Sequence, residues 1–322
     1  MLLEAYIRWR LGNGLMREWR IPLLNAVSHG RLGYGRTLHV RKATSQELSR
    51  WSANDLIRDV VPHRVLPQIQ SVLVYRSRRA AAADDLDREL MVWFAGASLF
   101  AGPSRLVEAA FVEQWHRGPK DRGSRGHLID TRIFPLSLPV PSAAPWRGAI
   151  NLDTGRRSVV RALRAFRSNH RYLKQFHFAL SRWFYSLNKE RRTIEDAVLD
   201  LTIALESVFI LQDECGDKGE LLRERVAAFW FETEPTASTK RRKSFKWKLH
   251  EAYSVRSRVV HGDIVDAEKL NVTRNLFDQI MRELLHDFIA GYLAKFDPLG
   301  YRSPSGEEAQ KPHDSLRSDR AV

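Results

Sequence analysis

The segment Tyr253-Ser-Val-Arg256-Ser257-Arg258-Val-Val-His261-Gly262 carries an arginine and a histidine with four residues between them, in a stretch that reads as helix. The planar fork of an arginine can hold a phosphate and the charge that develops on it. A histidine can move a proton near neutral pH. Together they suffice to cut RNA without a metal. The 2′-hydroxyl loses a proton and attacks the adjacent phosphorus, the 5′-oxygen leaves, and a 2′,3′-cyclic phosphate remains. His261 is the candidate general base or acid, and Arg256 the candidate phosphate ligand. Helix geometry supplies a rival. Residues five apart are offset by about 140°, so Arg256 and His261 do not share a stripe, whereas Arg258 and His261, three apart, do. Tyr253 lies one turn before Arg256, where it either bonds a phosphate or packs between helices. The plainer alternative is that these side chains only dress a helix end.

Two further features surround this segment. Glu206 sits in an apolar stretch, where a carboxylate needs a partner. That partner is either Arg223 or Arg225, as a structural ion pair, or Arg256, which Glu206 would then orient. Lys240-Arg241-Arg242-Lys243-Ser-Phe245-Lys246-Trp247-Lys248 is the densest basic run, with two interleaved aromatics. Cations on such a run bind phosphates while rings stack on bases. The alternative is a solvated helix start with Phe245 and Trp247 turned inward. Other chemistry finds less support. No phosphate-binding loop of the Walker type is present. Gly12-Asn-Gly14 and Gly33-Tyr-Gly35 lack the third glycine of a dinucleotide fingerprint. Gly123-Ser-Arg-Gly126 lacks the spacing of a nucleophile elbow. His170 and His177 share a helix face but have no identifiable co-ligands, so they read as packing residues. No metal or cofactor is expected.

The elements that must position these residues follow from composition and periodicity. With 322 residues, 43% of them hydrophobic, the chain can bury a substantial core. Its 52 Lys and Arg against 38 Asp and Glu give a net charge of +14. Such a surface draws polyanions, chiefly nucleic acid, unless arginine-rich codon usage alone accounts for it. The single cysteine, Cys215, excludes an intramolecular disulfide and any zinc site built on paired cysteines. The longest uncharged apolar run, 91–102, is too short to cross a bilayer. The start, with Glu4, Arg8 and Arg10 among its apolar residues, lacks the pattern of a secretory signal. A soluble, cytoplasmic protein is expected.

The fold class expected is α+β. Residues 1–148 read as a mixed, β-containing domain. Thr44-Ser-Gln-Glu47 has capping-box spacing and starts a short helix. The stretches 69–75, 90–94 and 128–134 are rich in β-branched and aromatic residues and read as strands, with polar loops over 78–87 and 118–126. Pro135, Pro139, Pro141 and Pro145 mark the boundary. Residues 149–297 then read as an antiparallel helical bundle, with helices near 155–167, 170–189, 193–212, 218–231, 239–261 and 266–295. Arg156, Arg157, Arg161 and Arg164 form one exposed helix face. The polar tail, 298–322, reads as disordered.

Three ordered segments of the helical half resemble the HEPN superfamily, in particular its Apea-like branch. The first is 194–210, a hydrophobic helix whose Ala-Leu-Glu206-Ser-Val is similar to the Ala-Leu-Glu-x-Leu/Val of that branch. The second is 219–229, where Arg225 precedes small and apolar residues. The third is the opening segment, against Tyr-x-x-Arg-Ser-x-hydrophobic-hydrophobic-His-Gly. The resemblance covers about the second half of the chain and does not extend to residues 1–150. It implies a bundle that dimerises, so that two arginine–histidine motifs face each other across one cleft and cleave RNA without metal. It also implies a role as toxin or defence effector, with an antitoxin or regulatory protein as partner. In the wider superfamily the residue after the arginine is often asparagine, aspartate or histidine. Here it is Ser257, which keeps open a module that binds nucleic acid or protein without cutting.

Overall fold

The computed structural model describes residues 16–77 apart from 25, 36, 56, 58–60, 62–65 and 67–68, then 83–101, 107, 109, 111–117, 127–132, 150–187 apart from 169, 193–232 apart from 211–213 and 215, and 236–292. Among them the chain is mixed α+β, with a small antiparallel sheet near the N-terminus and eight helices. Strand β1 (Met16–Leu23) lies inside a six-stranded sheet of order β3-β4-β5-β1-β6-β7. The other strands are β3 (Leu32–Gly33), β4 (Leu38–Lys42), β5 (Ser71–Ser77), β6 (Val112–Arg117) and β7 (His127–Arg132), with every adjacent pair antiparallel and β1 between β5 and β6. Strands β2 (Ala26–Val27) and β8 (Ile150–Asn151) form a separate parallel pair. The expected strands at 69–75 and 128–134 appear as β5 and β7. Strands β1, β4 and β6 were not anticipated, because charged residues interrupt their apolar alternation.

Three of those charges, Glu18, Arg20 and Glu113, are buried. On one face of the sheet Trp19, Ile21, Val40 and Leu73 enter the main core. On the other, Val72 and Val74 join Trp51 and Phe111 in a smaller cluster. An antiparallel sheet usually leaves one face to water. Here helix α1 (Ser45–Ser52) covers part of it, so Glu18, Arg20, Glu47 and Glu113 are all buried and all paired. Glu47 closes the capping box with Thr44 while it accepts Arg41 and Arg20. Glu113 accepts from Arg50 and from the Trp51 and Trp115 indoles at 2.8 and 3.1 Å. Buried charges persist only when satisfied in this way.

Helix α2 (Ala83–Ala101) corrects one expectation, since it contains the presumed strand at 90–94 and half of the presumed loop at 78–87. Leu90 through Ala97 are all buried, and the segment packs against both sheet and helices. A helix buried all round shows no amphipathic period, so a short window cannot separate it from a buried strand. A Cβ at Gly96 would stand 3.1 Å from Ala162 Cβ, which marks the close approach of α2 to α3.

The six helices expected after Thr154 all form. They are α3 (Leu152–Ala165), α4 (Leu173–Ser186), α5 (Ile194–Phe209), α6 (Lys218–Trp230), α7 (Thr239–Val260) and α8 (Ala267–Ala290). Asp266 caps α8, as its position implied. Helix α5 is the most central, packing on α4, α6, α7 and α8 through residues such as Leu201 and Leu205. Arg156, Arg157, Arg161 and Arg164 line an exposed face of α3. One apolar cluster runs from the sheet through Trp93 and Phe94 of α2 to Phe176, Leu205 and Leu284. The proline-rich stretch, Gly118–Gly126, Cys215 and the tail lie outside the described residues. Among the described residues no helix is long and apolar enough to cross a membrane.

The covered sheet face has a pH signature. Burial, then the positive charge of Arg31 and Arg76, holds the His39 ring down at about 4. An unfolded histidine titrates near 6.5. Between those values the unfolded chain binds the extra proton. Stability is therefore full above pH 6.5 and falls as pH drops toward 4. His39 should cost on the order of 2 kcal/mol between pH 7 and pH 5, read as a falling thermal midpoint. His39→Gln should flatten that slope, and equal slopes in the two proteins would refute the assignment.

Candidate functional site

Helix α7 begins at Ser238, whose hydroxyl accepts the Arg241 N–H, and runs 22 residues to Val260. Only Leu249, Ala252 and Val255 are buried along it. So thin an apolar seam fixes a helix weakly about its own axis, and polar and aromatic contacts complete the job. Phe245 stacks on Trp230, with ring centroids 5.2 Å apart, and meets Phe231 edge-on. Lys246 forms an ion pair with Glu224 of α6.

The decisive contact lies about two turns further on. The Tyr253 hydroxyl donates to Glu206 Oε1 of α5 at 2.9 Å. Arg256 Nη2 stands 3.5 Å from the same oxygen, and its guanidinium lies 5.4 Å from the Tyr253 ring centroid. Burial and then the Glu206 carboxylate push the Tyr253 phenol up to about 12, so it remains a donor at any physiological pH. Glu206 therefore pairs with Tyr253 and Arg256. The two arginines expected as its structural partners are engaged elsewhere. Arg223 meets Glu220 and Glu224 at 3.3 and 3.8 Å. Arg225, fully buried, pairs with Glu214 and donates to the Phe209 carbonyl at the end of α5. Arg256 Nε is buried without a hydrogen-bond partner among the described residues. Its 3.5 Å ion pair is looser than a bidentate arginine–carboxylate contact of about 2.8 Å.

Gly262 ends the helix. Its φ of 80° is in the left-handed region. Its N–H reaches the Val259 carbonyl at 3.1 Å, and the Asp263 N–H reaches the Arg258 carbonyl at 3.0 Å. This is a Schellman closure, which favours glycine at that position. It leaves His261 exposed as the last residue of the helix. Arg258 bonds the Ile264 carbonyl at 2.9 Å and stands 3.6 Å from Asp263, so it ties down the following turn. Arg256 faces α5 and His261 faces outward, as the offset of about 140° requires. Ser257, after Arg256, is partly exposed.

The basic run divides by face. Arg241 and Arg242 lie over the Phe231 ring at 5.9 and 5.3 Å, and Lys246 is paired. Lys240, Lys243 and Lys248 are exposed and have no ion-pair partner among the described residues. Phe245 is turned inward, whereas Trp247 is 61% exposed, so the two aromatics part company. Trp247 and His250 flank a groove of about 290 Å³ with Arg223, Glu224, Lys243 and Lys246. His250 was not singled out from the sequence. Its spacing from Lys243 and Trp247 was the available signal. A second groove, about 520 Å³, has Glu206 in its wall with Lys174, Phe178, Ser207 and Lys218. His177 bonds the Phe166 carbonyl and His170 packs on Phe176 and Phe288, which fits the packing role expected of both. Among the described residues no group of three or more His, Cys, Asp or Glu is disposed to hold a metal ion. Comparison with protein-family models, curated proteins and solved structures gives no match to this chain.

The seating of Tyr253 depends on Gly219. A Cβ there would lie 2.8 Å from the Tyr253 ring. Alanine gains about 1 kcal/mol of helix propensity over glycine, but overpacking costs about 1–3 kcal/mol. Gly219→Ala should therefore lower the denaturant midpoint. In a Tyr253→Ala background the same change should be neutral or stabilising. Additive losses in the double variant would contradict the contact.

Proposed function

We propose that the chain is a metal-independent endoribonuclease of HEPN type, acting in the cytoplasm as a homodimer, with Arg256 and His261 as its reacting pair. The observation that carries this reading is the end of α7. There a Schellman turn presents His261 to solvent, with exposed apolar side chains beside it in sequence and in the following helix. Val260 is 53% exposed, Ile264 94% and Val272 63%. Exposed apolar residues are ordinary singly, but several near a chain turn that carries a proton-transfer group suit a surface that a second copy covers. The outward His261 and inward Arg256 favour the same arrangement, because the pair then forms between chains.

In this mechanism a neutral His261 takes the 2′-hydroxyl proton. The 2′-oxygen bonds to phosphorus as the bond to the 5′-oxygen breaks. The departing oxygen takes a proton from water, and the protonated His261 returns its own to solvent. Arg256, released from its loose contact with Glu206, holds the non-bridging oxygens and the charge they gain. A 2′,3′-cyclic phosphate and a 5′-hydroxyl result. A second reading, a HEPN-like module that binds without cutting, is favoured by the engagement of Arg256 with Glu206 and by Ser257 beside it.

Cleavage of a mixed RNA pool, with product ends analysed, separates the two readings. The enzyme reading expects cyclic-phosphate ends in the presence of a chelator. It expects His261→Ala to lose about a hundred- to ten-thousandfold in rate, the usual contribution of a positioned acid–base group. Equal cleavage by both proteins would remove it. Val272→Glu should give a monomer by light scattering and abolish cleavage. A variant that stays dimeric or stays active would place the second copy elsewhere.

A further inference from the structure

The face of α7 that turns away from the bundle is a continuous stripe. Lys243, Trp247, His250, Ser254, Ser257 and His261 follow at alternating intervals of four and three residues. That spacing keeps them in line, with a drift of about 20° per heptad. All are exposed except Ser257, which is partly so. The buried seam of Leu249, Ala252 and Val255 lies on the other side.

We infer that this stripe is a track for single-stranded RNA, which enters at the groove between α6 and α7 and leads to His261. The inference rests on the proposed function for its choice of RNA. At the entrance three cations, Arg223, Lys243 and Lys246, face one carboxylate, Glu224, which Lys246 and Arg223 already neutralise. Lys243 is left to bind a phosphate. Trp247 presents an open ring, with the His250 ring 5.7 Å from it and inclined at 38°. An exposed tryptophan between a lysine and a histidine is the stacking platform of a sequence-tolerant single-strand site. From Trp247 to His261 the helix rises about 21 Å. Over that distance Ser254 and Ser257 offer only hydroxyls, which bond sugar or phosphate oxygens without selecting a base. A duplex keeps its bases stacked inside and its major groove narrow, so it offers no base to Trp247. The track accordingly selects single strands and sets how far from a stacked base the cut falls.

The test measures binding apart from catalysis. The full chain carrying His261→Ala is titrated with a fluorescein-labelled, single-stranded oligoadenylate of about a dozen nucleotides, within the usual site sizes. A hairpin duplex serves as the second probe. Adding Trp247→Ala should weaken single-strand binding about five- to a hundredfold, the worth of one stacked base. Duplex binding should be unchanged. Lys243→Glu should weaken binding and flatten its salt dependence. Trp247 is exposed, so an unaltered thermal midpoint is expected and shows that the fold is intact. Unchanged single-strand affinity in both variants would overturn the track. So would a shift from dimer to monomer on Trp247→Ala with affinity retained, since Trp247 would then be a protein contact. An inactive wild-type protein that still binds single strands through Trp247 would leave the track standing and remove the nuclease reading.

Discussion

The rotation of α7 about its own axis is the constraint on which the candidate site depends. Its apolar seam is three residues wide in 22. Hydrophobic burial therefore draws the helix onto the bundle without choosing strongly among neighbouring rotations. The choice is made by directional contacts: Tyr253 and Arg256 on Glu206, Lys246 on Glu224, and Phe245 between Trp230 and Phe231. Glu206 is held in turn by α5, which packs on α4, α6, α7 and α8. Gly219 leaves room for the Tyr253 ring. Turned this way, the helix directs Arg256 inward and gives Lys243, Trp247, His250 and His261 to solvent.

The same logic recurs at the other end of the molecule. Helix α1 lies over a sheet face that carries Glu18, Arg20 and Glu113, and each finds a partner of opposite charge. Replacement by apolar residues would do as well for stability, because buried ion pairs roughly balance desolvation against attraction. What the pairs add is direction. Glu47 accepts from Thr44, Arg41 and Arg20 in one arrangement of α1, and a shifted helix would leave buried charge unmet.

Much of this was legible in the sequence, for identifiable reasons. The helices after Thr154 carry caps and clear apolar periods: Thr193 with Asp196, Asp217, Ser238 and Asp266 all cap where their residue types suggest. Gly262 reads as a helix end because few other residues tolerate its φ. The sheet was harder to see. In Glu18, Arg20 and Glu113 the alternation of charge suggests solvent, and the covering helix explains their burial. Helix α2 was misread because Leu90 to Phe94 is buried on every side. Spacing alone left Arg256 and Arg258 as rivals. The structure gives them different partners, the Ile264 carbonyl for Arg258 and Glu206 for Arg256. The partner of Glu206 was open for the same reason: three arginines are near it in sequence or motif, and only folding assigns them.

In the proposed nuclease, an arginine and a histidine that leave one helix on different faces would act together where two chains meet. Mixing subunits tests that most directly. Arg256→Gln and His261→Ala chains, each expected to be inactive alone, are unfolded together, refolded and assayed on single-stranded RNA. Mixed dimers keep one Arg256 and one His261 on different chains. The account predicts that cleavage returns in the mixture above either parent, as a fraction of wild-type activity. A mixture as inactive as its parents, beside a wild-type protein that cuts, would contradict it.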